Sequence, residues 1–486
     1  MAKSNNQFAL LLASVLASVL AFQPALQPAL LAETLAAPSN PALPASPQPQ
    51  PATLSSTRIS LDQMTPADSA ASHINGPSGQ TLTRKQAEQL AIKNNPRISE
   101  YNLLALAQKQ VIRESRAAYL PTLNGSATGV AAEQGSRLSA GTLDSSRMLN
   151  HFGAGLQLTQ LITDFGRTNN LVATSALQSR ASSANAVATL DQIALTTDVA
   201  FYNTLEAQAT VQVATQNLAA LQAVRDQISA LAASKLRSDL DLSFAEVNLS
   251  QAKLFLLDAN NLADVAMAQL NRILALPTSQ NYTLIDDADA VPELALTPDP
   301  LLQLALQQRP DLQADNYTHQ ADVKFSHAQR DQLLPTVNGI GVVGATPVGD
   351  SQYYNPSWYG AAGVNIQVPI FNGFLFTSQT AEARLRASAS DQRTRDLQEQ
   401  ILRDVKTAWL NANTARQKMV VTAELLKEAN MALDLAQTRY KLGLSSIVEL
   451  SQAEYQQIQA KIEDTNARFA YESDLAAVRY QTGTQP

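Results

Sequence analysis

The sequence predicts an α+β membrane protein in which two strand pairs supply four strands of a transmembrane β-barrel continued into long α-helices, a plan written twice along the chain. Three observations carry that prediction. An offset of 214 maps Leu120-Pro121-Thr122-Leu123-Asn124-Gly125 onto Leu334-Pro335-Thr336-Val337-Asn338-Gly339, and an offset of 208 maps Gln251-Ala252-Lys253 onto Gln459-Ala460-Lys461. Four segments alternate between an apolar face and an uncharged polar one, a period of two. Two stretches, 168–236 and 376–442, hold no proline, and glycine is essentially absent from them.

Composition agrees. The 486 residues would fill two to four ordinary domains, yet aromatics are 5% and charged residues 16%, while Ala, Gln, Leu, Ser and Thr dominate. That mix suits helices packed closely through small side chains with an uncharged polar face. A net charge of −7 and a pI near 5.3 supply no basic surface for phosphates, so nucleic acid is excluded as a partner. The lack of cysteine excludes disulfides, thiolate metal sites, thiol nucleophiles and a lipid-modified N-terminus.

The elements follow in order. Lys3 and the apolar run Phe8 to Phe22, too short to span a bilayer, read as an export signal within 1–36, cleaved after Ala21 or Ala36. Residues 37–80, rich in Pro, Ser, Ala and Gln, read as a flexible tether. The first repeat covers 81–276. Thr83-x-x-Gln86 matches a capping box opening a short helix that reaches Pro96, and helical pattern resumes up to Pro121. Strands at about 121–133 and 150–163 flank a loop, Gln134 to Asn150, rich in Gly, Ser, Asp and Asn. Asp164-Phe165-Gly166 turns the chain into a long helix with a tip at about 235–241 and a return helix to about Leu276. Residues 277–300 form a Pro- and Asp-rich connector.

The second repeat covers 301–483. Thr297-Pro298 places Pro at the first position of its opening helix. Strands at about 335–346 and 357–371, the turn Phe371-Asn372-Gly373, a long helix with a tip at about 441–448 and a return helix to Tyr480 complete it. Each return helix is shorter than its long partner, so a short helix must complete it end to end.

Strand polarity points to the membrane. Trp358, Ala362, Val364 and Ile366 share one face, and Tyr359, Ala361, Gly363, Asn365 and Gln367 the other; Leu156 and Leu158 alternate with Gln157 and Thr159. Asn365, Gln367, Gln157 and Thr159 are expected to face a lumen, with Trp358 and Tyr359 in an aromatic girdle. An open sheet in lipid leaves unpaired backbone groups, and small membrane barrels start at about eight strands. Copies must therefore close the sheet. Three supply twelve strands, two barely leave a lumen, and four are the remaining alternative.

Catalysis is not expected. His73, His151, His319 and His327 show no metal-ligand spacing and no nucleophile–base pair, and no Gly-rich phosphate loop appears. Neither a metal nor any other cofactor is expected, and His319 and His327 read as solvated helix positions. The alternative reading is a soluble periplasmic adaptor or coiled-coil scaffold. It accounts for the export signal and the helical hairpins but not for two strand pairs with polar faces.

Five sets of residues resemble one known family. They are Asn95-Pro96 with Arg309-Pro310, Tyr119-Leu120-Pro121, Leu333-Leu334-Pro335, Val368-Pro369-Ile370-Phe371-Asn372-Gly373, and Tyr440-Lys441-Leu442-Gly443-Leu444. In order, spacing and duplication they resemble the TolC-like outer-membrane efflux proteins, from about Thr81 to Gly483. The resemblance implies a homotrimer in the outer membrane, with a 12-stranded barrel and a coiled-coil helical barrel extending into the periplasm. It implies a passive exit duct of a tripartite system, partnered by a periplasmic adaptor (membrane fusion) protein and an inner-membrane transporter of RND, ABC or MFS type. Multidrug efflux and type I secretion both fit.

At the tip the resemblance implies a gate formed by an acid ring. Glu449 takes the first acid's place, Gln452 stands where some members carry a second, and the internal repeat adds Asp241. Such a ring favours cations. Both acids also fall in a first helical turn, where the helix dipole favours them. Adaptor docking is implied through Tyr440, Leu442, Gly443 and Leu444 and, on the first hairpin, through Leu236, Arg237 and Ser238. Arg237 and Ser238 stand where a glycine is expected.

Overall fold

The computed structural model describes residues 81–130, 137–140, 143–147, 151–277, 280–286, 294–345 and 358–484. The expected signal segment, the tether and residues 346–357, which are expected to form the loop between the last two strands, lie outside the described residues.

Strand β1 (Thr81–Thr83) leads into α1 (Arg84–Asn94) through a capping box: the Thr83 hydroxyl accepts from the Gln86 amide, and the Gln86 side chain accepts from the Thr83 amide. Helix α2 (Pro96–Ala117) follows, with Pro at its first position and Asn95 as N-cap. Then come β2 (Thr122–Val130), a short antiparallel hairpin of β3 (Arg137–Ala140) and β4 (Leu143–Arg147), and β5 (His151–Thr163). The hairpin corrects the expectation of a plain loop there. Helix α3 (Arg167–Ala233) and its return, α4 (Asp239–Ile273), complete the half.

The second half repeats this order. Strand β6 (Thr283–Ile285) pairs in parallel with β1, so part of the connector adds a strand beside the chain's first described residues. Helix α5 (Asp299–Gln308), α6 (Pro310–Asp331), β7 (Thr336–Ala345), β8 (Trp358–Gln367), α7 (Leu375–Lys441) and α8 (Ile447–Thr482) follow. Two expectations are corrected here. Pro298 is the N-cap of α5, not its first residue; Pro300 lies in the first turn, where a missing N–H costs nothing. Strand β8 stops at Gln367, because Pro369 cannot continue a ladder.

Helices α3 and α7 have 67 residues each, about 100 Å at 1.5 Å per residue. With neither proline nor glycine inside them, nothing breaks the hydrogen-bond ladder. Threonine hydroxyls that water would otherwise satisfy turn back onto the preceding turn, as Thr197 does onto the Ile193 carbonyl at 2.8 Å. The return helices pack through buried alanines seven residues apart: Ala245, Ala252 and Ala259 on α4, and Ala453, Ala460 and Ala467 on α8. A seven-residue repeat of small side chains lets helices run side by side at close range with a left-handed coil.

Short helices extend the return helices. The Asn95 side chain, at the head of α2, donates to the carbonyl of Ile273 at the foot of α4 (3.1 Å), and Arg309 at the head of α6 donates to Gln481 at the foot of α8. A core of Leu82, Phe201, Tyr202, Leu205, Leu270 and Leu284 fastens this middle region.

Candidate functional site

Three regions concentrate the unusual chemistry: the two helical tips, the sheet, and a buried charge cluster at the middle.

Both tips end their long helices in the same way. Lys235 (φ 58°) and Gly443 (φ 73°) take the left-handed conformation, and the next residue reaches back five positions, Leu236 N to Leu231 O at 2.9 Å and Leu444 N to Arg439 O at 2.8 Å. The counterpart of Gly443 is thus Lys235, correcting the expectation that Arg237 and Ser238 occupy the glycine's place. Ser238 and Ser446 then cap the return helices, accepting from the amides of Asp241 (3.1 Å) and Glu449 (3.3 Å).

Leu236, Leu442 and Leu444 project into solvent, the first two 71% and 68% exposed, with Gly443 and Ser238 exposed between them. Tyr440 does not join them. It is only 6% exposed and packs with Ile228, Ala245, Ala436, Ile447, Leu450 and Ala453, which corrects its placement on the docking surface. Arg237 crosses from the first tip to the second: its guanidinium lies 4.2 Å from the centre of the Tyr440 ring and donates to the Tyr440 carbonyl. Burial raises the Tyr440 phenol above its usual range, while Arg237 opposes that shift.

The acids differ. Glu449 is engaged by Arg439 of its own hairpin at 3.2 Å, whereas Asp241 is half-buried beside the Arg237–Tyr440 contact, and Gln452 is exposed.

The sheet has the order β2-β5-β7-β8, antiparallel throughout, with β2 and β8 as edges. Register puts Gln157 opposite Asn124 and Val342, Thr159 opposite Thr122 and Ile340, Asn365 opposite Asn338, and Gln367 opposite Thr336. Directly paired residues share a face, so Asn365, Gln367, Gln157 and Thr159 lie together on one uncharged face. The other carries Leu123, Leu156, Leu158, Val343, Val364 and Ile366, all exposed, with Trp358 (79% exposed) at its end. Tyr359 belongs to the polar face. A Cβ built on Gly344 would come within 2.9 Å of its hydroxyl, so the ring lies over a bare glycine and not in a girdle with Trp358.

The third region leaves little trace in the sequence pattern. Asp198, 1% exposed on α3, is reached by Arg84 at 3.4 Å and by Arg479 of α8 at 4.0 Å, and Arg84 also pairs with Glu88. Burial, then the neighbouring Asp198, pushes the Glu88 carboxyl up to about 7. This network ties α1, α3 and α8. An aspartate inside an apolar helix seam was its one sequence signal. His319, expected in solvent, instead shares a hydrogen bond with Ser390 of α7 at 3.2 Å.

Comparison with known proteins agrees with this geometry. The family model "Outer membrane efflux protein" matches residues 88–276 and again 301–484. The chain is 24% identical over 421 residues to the outer membrane protein TolC of Escherichia coli (strain K12), covering 82% of each chain. It is 22% identical over 376 residues to the outer membrane efflux protein BepC of Brucella suis biovar 1 (strain 1330), covering 75% of this chain and 77% of the relative. The solved outer-membrane channel OprN superposes with a TM-score of 0.72 at 18% identity, covering 83% of this chain and 90% of that one. This chain belongs to the outer membrane efflux protein family, channel proteins of the outer membrane that reach into the periplasm.

Proposed function

We propose that the chain is one protomer of a homotrimeric exit duct, in which three four-stranded sheets close a 12-stranded barrel and the helices continue it as a periplasmic tunnel. The observation that carries this reading is the sheet itself: two edges, β2 and β8, with no partner strand among the described residues, and one exposed apolar face. In water such a face and such edges invite aggregation. In lipid the apolar face is favoured, and only closure satisfies the edges. The soluble adaptor or scaffold alternative leaves both uncovered.

The duct is passive, and an adaptor docked to an inner-membrane transporter of RND, ABC or MFS type supplies the energy. Leu236, Arg237 and Ser238 on one tip and Leu442, Gly443 and Leu444 on the other form the docking surface, with Tyr440 supporting it from beneath. Asp241, Glu449 and Gln452 form the gate, where three copies bring six carboxylates together.

Planar-bilayer recording tests this. Purified protein should insert as a cation-selective pore of low resting conductance. Absence of any pore, with the chain recovered in the soluble periplasm, would contradict the reading.

A further inference from the structure

A cavity of about 350 Å³ opens between the two hairpins, at the level of the residues just beyond the tip. Its walls come from three helices: Asn217 of α3, Gln251 and Phe255 of α4, and Glu454, Tyr455 and Ile458 of α8. The volume falls within the roughly 300–1,000 Å³ of small-molecule sites.

Glu454 is the unusual member. Among the described residues no hydrogen bond or ion pair reaches its carboxyl, and burial alone pushes it up to about 7. Helices α3 and α4 bring only uncharged side chains to the cavity. The groups that face Glu454 are Tyr455 beside it, Tyr440 of α7, and Lys461 of the adjoining trough, whose ammonium is engaged by the Gln216 side chain at 2.6 Å. A half-buried carboxyl without a countercharge gains most from a cation that can follow it out of water.

We propose that this cavity binds an amphipathic organic cation, an ammonium carried on a lipophilic body. Glu454 supplies the countercharge. The Phe255 and Tyr455 rings offer faces to the charge, Ile458 receives the apolar body, and the Asn217 and Gln251 amides accept any remaining N–H. A bare divalent cation is disfavoured, since the single carboxylate of this lining would leave half of its charge uncompensated while neutral amide and hydroxyl oxygens replaced its waters.

The probe is phenyltrimethylammonium, whose charge does not titrate, added to the purified full chain in detergent and followed by calorimetry against the neutral isostere tert-butylbenzene. Saturable binding at one site per chain is expected, strengthening from pH 6 to pH 8 as Glu454 ionises. Glu454→Gln, nearly isosteric, should weaken it about tenfold with the helical circular dichroism unchanged, and Phe255→Ala about fivefold. Equal affinity in Glu454→Gln, equal affinity for the neutral isostere, or no saturable binding by the wild type overturns the site. The measurement involves no transport, so its outcome is independent of the duct reading.

Discussion

At the middle of the molecule the hairpins are joined by buried charge, Arg84, Glu88 and Arg479 around an Asp198 sealed from solvent; at the tips they are joined by Arg237 on Tyr440, at the solvent boundary. Breaking a buried ion network leaves an uncompensated charge and costs about 3–5 kcal/mol. A cation–ring contact made by a partly exposed guanidinium on a buried ring, with one charged hydrogen bond, contributes about 2 kcal/mol. The same pair of hairpins is thus tied by a buried charge network over a larger apolar core at the middle and by one cation–ring contact over a smaller apolar cluster at the tips. The duct proposed above, opening at its tips, would draw on that difference.

The comparison can be broken at four levels. The largest effect belongs to the middle: Asp198→Ala should destabilise the fold by about 3–5 kcal/mol in denaturant unfolding, and a loss below about 1 kcal/mol would mean that the cluster ties nothing. At the tips, Arg237→Ala should cost about 2 kcal/mol of tip coupling, read as raised resting conductance and faster proteolysis at the tips while the middle stays protected. Backbone comes next. Gly443→Val forces a branched side chain into the left-handed region and should cost about 1–2 kcal/mol, whereas Lys235→Gly should gain about 0.5–1 kcal/mol, both read by thermal unfolding. The smallest effect on stability is that of the double variant Asp241→Ala and Glu449→Ala, below about 1 kcal/mol because the Arg439–Glu449 pair is exposed. Cation selectivity should nevertheless fall, and unchanged selectivity would remove both acids from the gate.

Acid sharpens the contrast. The folded state raises the Glu88 carboxyl from 4.5 to about 7, so it favours the protonated form. That contribution is complete below about pH 4.5 and is lost as pH rises through about 7. The midpoint of thermal unfolding should therefore fall between pH 5 and pH 8, and Glu88→Gln should flatten that slope.

What could be read from sequence follows from how local the physics is. The long helices were legible because a run without proline or glycine is a local fact, and their ends appear one to three residues from the expected places. The sheet faces were legible from alternation, down to the grouping of Asn365, Gln367, Gln157 and Thr159. Alternation also places Tyr359 on the polar face, so only the girdle expectation fails for it; what the sequence does not show is Gly344 of another strand beneath its hydroxyl. Tyr440 was misjudged because its burial depends on Ile228 and Ala245 of the other hairpin, and Arg237 looked like a turn residue because its partner is 203 positions away. The ring around Asp198 draws on residues from three distant helices, and no window of sequence contains it.

Native mass spectrometry of the detergent-purified protein addresses the central claim most directly, since everything rests on an open four-stranded sheet that copies of the chain must close. The account predicts a single species of three chains. A folded single chain, stable in buffer without detergent and with β2 and β8 still unpaired, would contradict it.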